Sequence, residues 1–120
     1  MDNIIDGCIT NSSDYDIANV IYIILKNNFR YIENNVWEYL EDNKWYIDKK
    51  NEKLKNAIKT IVCKKYIERS IFWATKTEKE NSKSDIVSSK LLFLGTKLKE
   101  DKYISNIIKE CKQFFINNEY

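Results

Sequence analysis

Residues 36–47 read VWEYLEDNKWYI, and this segment decides the fold. Two short runs of aromatic and β-branched residues flank a polar Glu-Asp-Asn-Lys break, a pattern typical of a β-hairpin. The turn of this hairpin can be centred on Glu41-Asp42 or on Asp42-Asn43. Because the other periodic segments of the chain have helical spacing, we predict one hairpin inserted into a helical domain.

Side-chain alternation sorts the predicted hairpin into two faces. One face carries apolar residues that we expect to anchor it on the helices, namely Val36, Leu40, Trp45 and Ile47. The other face carries aromatic residues and a lysine, namely Trp37, Tyr39, Lys44 and Tyr46. We expect this second face to stay partly exposed. Since solitary soluble domains avoid exposed aromatic patches, it predicts contact with a partner.

Apolar residues at three- and four-residue spacing predict four helices. The first helix starts at an N-cap, Ser13 or Asp14, and ends at Asn27-Asn28, after which residues 29–32 can form a short strand. The second begins at Asn51 as its N-cap and runs into the mid-70s.

The third predicted helix opens at Ser84-Asp85 and runs through Leu94, with Gly95 as its left-handed terminal residue. The fourth spans about residues 101–117. We predict a charged loop at residues 76–84 and a flexible lead-in at residues 1–13. Residues 14–118 then form a single domain of the α+β class, mostly α.

Length and composition favour one folded domain without a membrane partner. A chain of 120 residues with 43% hydrophobic residues can bury a core but has little room for a second one. No apolar run approaches the roughly 20 residues that span a bilayer, and no secretory signal is visible. We therefore expect an intracellular protein. The net charge of +2 provides no overall basic field that would demand nucleic acid.

The sequence offers no recognisable catalytic group. It contains no histidine, and its two glycines, Gly7 and Gly95, do not form a phosphate-binding loop. The three cysteines, Cys8, Cys63 and Cys111, are odd in number and lack metal-site spacing, so we expect reduced, packed thiols. We predict no active site, cofactor or metal within this chain.

Lysines cluster around the hairpin and the start of the following helix. They include Lys44, Lys49 and Lys50, close in sequence to the aromatic face of the hairpin. Single-strand binding uses aromatic faces for bases and lysines for phosphates. The predicted residues of a nucleic-acid or partner contact are therefore Trp37, Tyr39, Lys44, Tyr46, Lys49 and Lys50. The alternative is a core aromatic cluster beside a solvated lysine face.

The order of these features matches a known family. The features are DYDIA at residues 14–18, VIY at 20–22, the hairpin with tryptophans at its two ends, LG at 94–95, and the closing helix at 106–115. In this order they resemble the domain that precedes the superfamily 3 helicase motor in poxvirus-type primase-helicases of large DNA viruses, with relatives in phages and plasmids. The resemblance covers residues 14–116. Glu38, Leu40 and Asp42 stand where the family often has Tyr, Phe and Gly.

The resemblance implies a non-catalytic, collar-like accessory domain in viral DNA replication. In the family, this domain lies between a primase region and an ATP-hydrolysing motor, helps the motor to form a ring, and guides DNA into it. The implied partners are the motor or primase region of the same system, single-stranded DNA, and further copies of the chain. The implied location is the cytoplasm or the viral replication site of a host cell. The alternative function is a protein-interaction module that does not bind DNA.

Overall fold

A computed structural model of the chain describes residues 2–8, 13–75 and 82–116. Within these residues, five helices accompany a three-stranded antiparallel sheet, so the prediction of a mostly helical α+β fold is confirmed. The single helices are α1 (Asp2–Gly7), α2 (Asp14–Leu25), α5 (Ser82–Lys97) and α6 (Asp101–Phe115). The fifth is a long helix that consists of α3 (Glu52–Ala57), a π-helical turn (Ile58–Val62) and α4 (Cys63–Ala74).

The predicted hairpin is part of a three-stranded meander with β2 at its centre. The strands are β1 (Phe29–Glu33), β2 (Val36–Glu41) and β3 (Lys44–Ile47). Asn34-Asn35 and Asp42-Asn43 form the two turns, and all four residues have φ between 52° and 66°. Two-residue hairpin turns require this left-handed backbone, which Asn and Asp adopt more readily than other side chains. The second turn is thus the Asp42-Asn43 alternative.

The helix starts show which predicted caps are real. Ser13 caps α2, because its Oγ accepts a hydrogen bond from the Asp16 N–H at 3.2 Å. The long helix is not capped by Asn51, which makes no side-chain cap hydrogen bond. Instead, the carboxylate of Asp48 accepts hydrogen bonds from the N–H groups of Lys53 (2.8 Å) and Leu54 (2.9 Å). The Asn51 prediction was wrong because a 3₁₀ turn at Lys49–Asn51 separates the true capping residue from the helix.

The start of the chain differs from the predicted lead-in. Helix α1 buries Ile5, and Cys8 directly after it is buried as well. The Asp6 carboxylate accepts hydrogen bonds from Arg69 Nε (3.0 Å), Arg69 Nη2 (2.6 Å) and the Trp73 indole (3.2 Å). Residues 2–8 therefore belong to the domain. Their helix is too short for apolar periodicity to reveal it.

Gly95 lies inside α5 and does not end a helix, contrary to the prediction. A Cβ at this position would stand 3.2 Å from Tyr66 Cβ and 3.3 Å from Ile67 Cγ1 of α4. The absence of a side chain lets α4 and α5 approach closely, and the Cys63 thiol donates a hydrogen bond to the Gly95 carbonyl at 3.1 Å. Residues 76–81 of the predicted loop lie outside the described residues, and residues 82–84 belong to α5.

Helices α2 and α6 pack together. The face of the sheet that carries Trp37 packs against them as part of the core, and we call it the inner face. The core continues between α4 and α5 through Tyr66, Leu91 and Leu94. None of the helices within the described residues has the length and apolar content needed to cross a membrane.

Candidate nucleic-acid and partner interfaces

The sheet buries the face that was predicted to be exposed. Trp37 is 1% exposed, and its ring packs against Phe115 of α6 (centroids 5.2 Å apart) and Tyr31 of β1 (5.3 Å). Ile47, predicted to anchor the hairpin, is 62% exposed. The other predicted anchors, Val36, Leu40 and Trp45, are only half-buried.

The alternation of side chains was therefore correct, but the choice of the buried face was wrong. The reason lies in β1, which pairs with β2 in the register Tyr31↔Trp37 and Phe29↔Tyr39. This register places Phe29 and Tyr31 on the same face as Trp37, so three strands contribute apolar and aromatic side chains to one face. The larger apolar face packs on α6. Trp37 thus belongs to the core and cannot contact a base or a partner while the domain stays folded.

The remaining predicted residues lie on β2, on β3 and in the turn after β3. Tyr46, on edge strand β3, is 43% exposed and stacks on half-buried Tyr39, with ring centroids 5.6 Å apart. Lys53 Nζ lies 5.3 Å from the centroid of the Tyr39 ring. Lys44, Lys49 and Lys50 are exposed on β3 and on the turn that follows it. We name the tyrosine–lysine surface after its members, which are Tyr39, Lys44, Tyr46, Lys49, Lys50 and Lys53.

A groove of about 280 Å³ adjoins this surface between β2 and the long helix. Tyr39 and Lys53 line it together with Phe29, Ala57 and Ile61. Tyr39 thus offers a ring and Lys53 an ammonium group to this groove, and Glu41 adds a carboxylate. The ring suits a planar group, whereas the opposite charges of Lys53 and Glu41 give the groove no net preference for an anion.

The opposite face of the sheet, which we call the outer sheet face, is organised around Arg30. Its guanidinium forms an ion pair with Glu38 (2.6 Å) and lies 4.2 Å from the centroid of the Trp45 ring. Leu40 and Ile47 complete this face. The sequence prediction missed Arg30, although its position opposite Glu38 follows directly once β1 is registered on β2.

Helices α4 and α5 also carry five exposed large apolar side chains, which are Ile71, Phe72, Ile86, Leu92 and Phe93. Phe93 is the most exposed of them, at 61%. The sequence prediction assigned this apolar content to the helices without recognising that part of it faces outward.

Within the described residues, the three cysteine thiols and the hydroxyl of Tyr66 are buried. Cys8, Cys63 and Cys111 are buried free thiols, as predicted, and burial raises the pKa of each. Burial likewise raises the pKa of Tyr66, whose hydroxyl lies 3.3 Å from Cys8 Sγ. Thiols with raised pKa are poor nucleophiles at neutral pH. The described part of the chain also contains no group of three or more His, Cys, Asp or Glu residues that could hold a metal ion.

No protein-family model, curated protein or solved structure matches this chain. The resemblance to the primase-helicase family therefore stays a prediction that depends on the residues quoted above.

Proposed function

We propose that this chain is a non-catalytic accessory domain of a viral DNA replication primase-helicase, which engages single-stranded DNA beside the motor and helps subunits to assemble. The observation that supports it best is the tyrosine–lysine surface. Its exposed Tyr46 lies on an edge strand, and the lysines come from the same strand, the following turn and the next helix.

This surface has the two components of sequence-tolerant single-strand binding. Stacking of one base on an aromatic ring contributes about 1–3 kcal/mol. Four lysines that neutralise phosphates give a slope of log K against log salt of about −3, since each contributes about −0.7 for a single strand. Glu41 lies opposite Lys44 in the register of β2 and β3, and its negative charge reduces the positive potential there. We therefore expect weak, strongly salt-dependent binding.

The experiment is a titration of a fluorescently labelled oligo-dT strand, followed by anisotropy at several salt concentrations. Tyr46→Ala should weaken binding about tenfold, because it removes the exposed ring. The double variant Lys49→Glu/Lys50→Glu should lower the magnitude of the salt slope by about 1.4.

The matched control is Lys90→Glu/Lys102→Glu, which makes the same change of net charge at exposed positions of α5 and α6. It should keep most of the affinity and the original slope. The proposal fails if the unaltered chain has no affinity at low salt, or if the control loses as much affinity as the Lys49/Lys50 variant.

The second candidate is a protein-interaction module, which the exposed apolar side chains of α4 and α5 favour. Exposed apolar side chains mark an interaction site where they join into one patch. Under this alternative, Phe93→Lys should abolish association with further copies or with the motor, measured by sedimentation velocity. The Tyr46→Ala variant should then leave association unchanged.

A further inference from the structure

A cavity of about 190 Å³ lies where the β1–β2 turn, the start of the long helix and α6 meet. Four of its lining residues, Ser105, Ile108, Lys109 and Lys112, follow the three- and four-residue spacing that places them on one face of α6. The remaining lining residues are Asn35, Trp37, Asn51 and Lys55. None of the predicted site lysines is among them.

The charged side chains that line this cavity are all lysines, although Asp101 of α6 is near enough to interact electrostatically with Lys55. Three lysines line it and no carboxylate does. Within the described residues, none of the three forms an ion pair at salt-bridge distance. Lys112 Nζ donates a hydrogen bond to Asn35 Oδ1 and lies 5.4 Å from the centroid of the Tyr31 ring. Like charges around one cavity repel one another unless an anion lies between them.

Trp37 lines the same cavity, so its signal can report on what the cavity holds. Its indole Nε1–H is buried and has no hydrogen-bond partner among the described residues. Less than 1 Å² of this nitrogen is accessible, so an anion in the cavity lies beside the indole and does not bond to it.

We infer that this cavity is a binding site for a phosphate-like oxyanion. The three ammonium groups are donors only, and they match an anion whose oxygens only accept. The volume lies below the roughly 300 Å³ at which drug-sized pockets begin, so it suits a phosphate group rather than a whole nucleotide. The anion is either free inorganic phosphate or the terminal phosphate of a nucleic-acid strand. This inference does not depend on the proposed function.

The test is a titration of the ¹⁵N-labelled chain with inorganic phosphate at constant ionic strength, observed through the tryptophan indole N–H signals. The Trp37 signal is identified by elimination with Trp45→Phe and Trp73→Phe, which leave the cavity intact. Phosphate bound beside Trp37 should move its signal in a saturable manner. Sodium chloride at the same ionic strength should not move it.

Lys109→Gln should weaken the phosphate response about tenfold, since it removes one charged donor. Lys102→Gln, an exposed position on the same helix, is the matched control and should keep the response. Two oligo-dT strands, with and without a 5′-phosphate, separate the two sources: a response to the phosphorylated strand alone identifies a strand terminus. An unmoved Trp37 signal, or an equal response to chloride, would overturn the inference.

Discussion

Replacing each tryptophan of the sheet with alanine distinguishes the face observed in the structure from the face predicted by the sequence. If Trp37 were the exposed residue and Trp45 the anchor, Trp45→Ala would be the damaging variant. The structure predicts the reverse, because Trp37 is 1% exposed between Tyr31 and Phe115 whereas Trp45 is half-buried under Arg30.

The two costs can be estimated from these surroundings. Removing a fully buried tryptophan costs about 3–5 kcal/mol, which includes the lost ring contacts and the cavity left behind. Trp45→Ala loses a partly exposed cation–π contact of about 0.5–1 kcal/mol and some half-buried apolar area, together about 1–2 kcal/mol. A domain of this length has a total stability of about 6–18 kcal/mol. Trp37→Ala therefore removes a large share of it.

Urea denaturation followed by far-ultraviolet circular dichroism measures both free energies of unfolding. Trp37→Phe is included in case the alanine variant does not fold. It keeps an aromatic ring against Phe115 and removes the orphan indole N–H, so it should cost less than Trp37→Ala. Equal costs for Trp37→Ala and Trp45→Ala, or a larger cost for Trp45→Ala, would refute the assignment of the buried face.

Three further predictions concern stability. Asp48→Ala should lower the free energy of unfolding in urea by about 1–3 kcal/mol, because two N–H groups lose their acceptor, whereas Asn51→Gly should cost only a few tenths. Gly95→Leu should lower the Tm, because its side chain collides with α4; an unchanged Tm would contradict that packing. Burial raises the pKa of Tyr66 above its ordinary 10.0. Above pH 10 the unfolded chain therefore ionises this tyrosine more readily than the folded chain does, so the free energy of unfolding falls by up to about 1.4 kcal/mol per pH unit. Tyr66→Phe should flatten that alkaline decline in urea titrations.

The sequence predicted the elements of this fold well where periodicity is long. The apolar stripes of α2, the long helix and α6 each extend over three or more turns, so their existence and approximate ends followed from spacing alone. Helix α1 did not follow, because six residues are fewer than two turns. Gly95 was misassigned because glycine has two uses, a left-handed helix end and a close helix contact, and only the packing against Tyr66 distinguishes them.

The candidate site was less predictable, for a physical reason. Alternation states which side chains share a face of a sheet, but the buried face depends on the opposing layer. Here that layer is Phe115 of α6, far away in sequence, and β1 adds Phe29 and Tyr31 to the same face. The cavity lined by three lysines could not be predicted from the sequence either, because these lysines come from α3 and α6 and meet only after folding.

The corrected orientation of the sheet changes how its two proposed roles relate to each other. Under the predicted arrangement, one exposed face had to serve either DNA or a protein partner. In the structure, Tyr46 and Lys44 of β3 lie on the inner face, whereas Trp45, Leu40 and Ile47 lie on the outer sheet face. Since residues on opposite faces of one strand do not share a ligand, the DNA contact proposed for Tyr46 does not involve the outer sheet face. The Arg30–Glu38 ion pair gives that face no net charge from those two residues, so it offers little attraction to a phosphate backbone. Tyr46→Ala should therefore impair DNA binding, whereas Trp45→Ala should lower stability by about 1–2 kcal/mol and leave the DNA affinity of the folded protein unchanged.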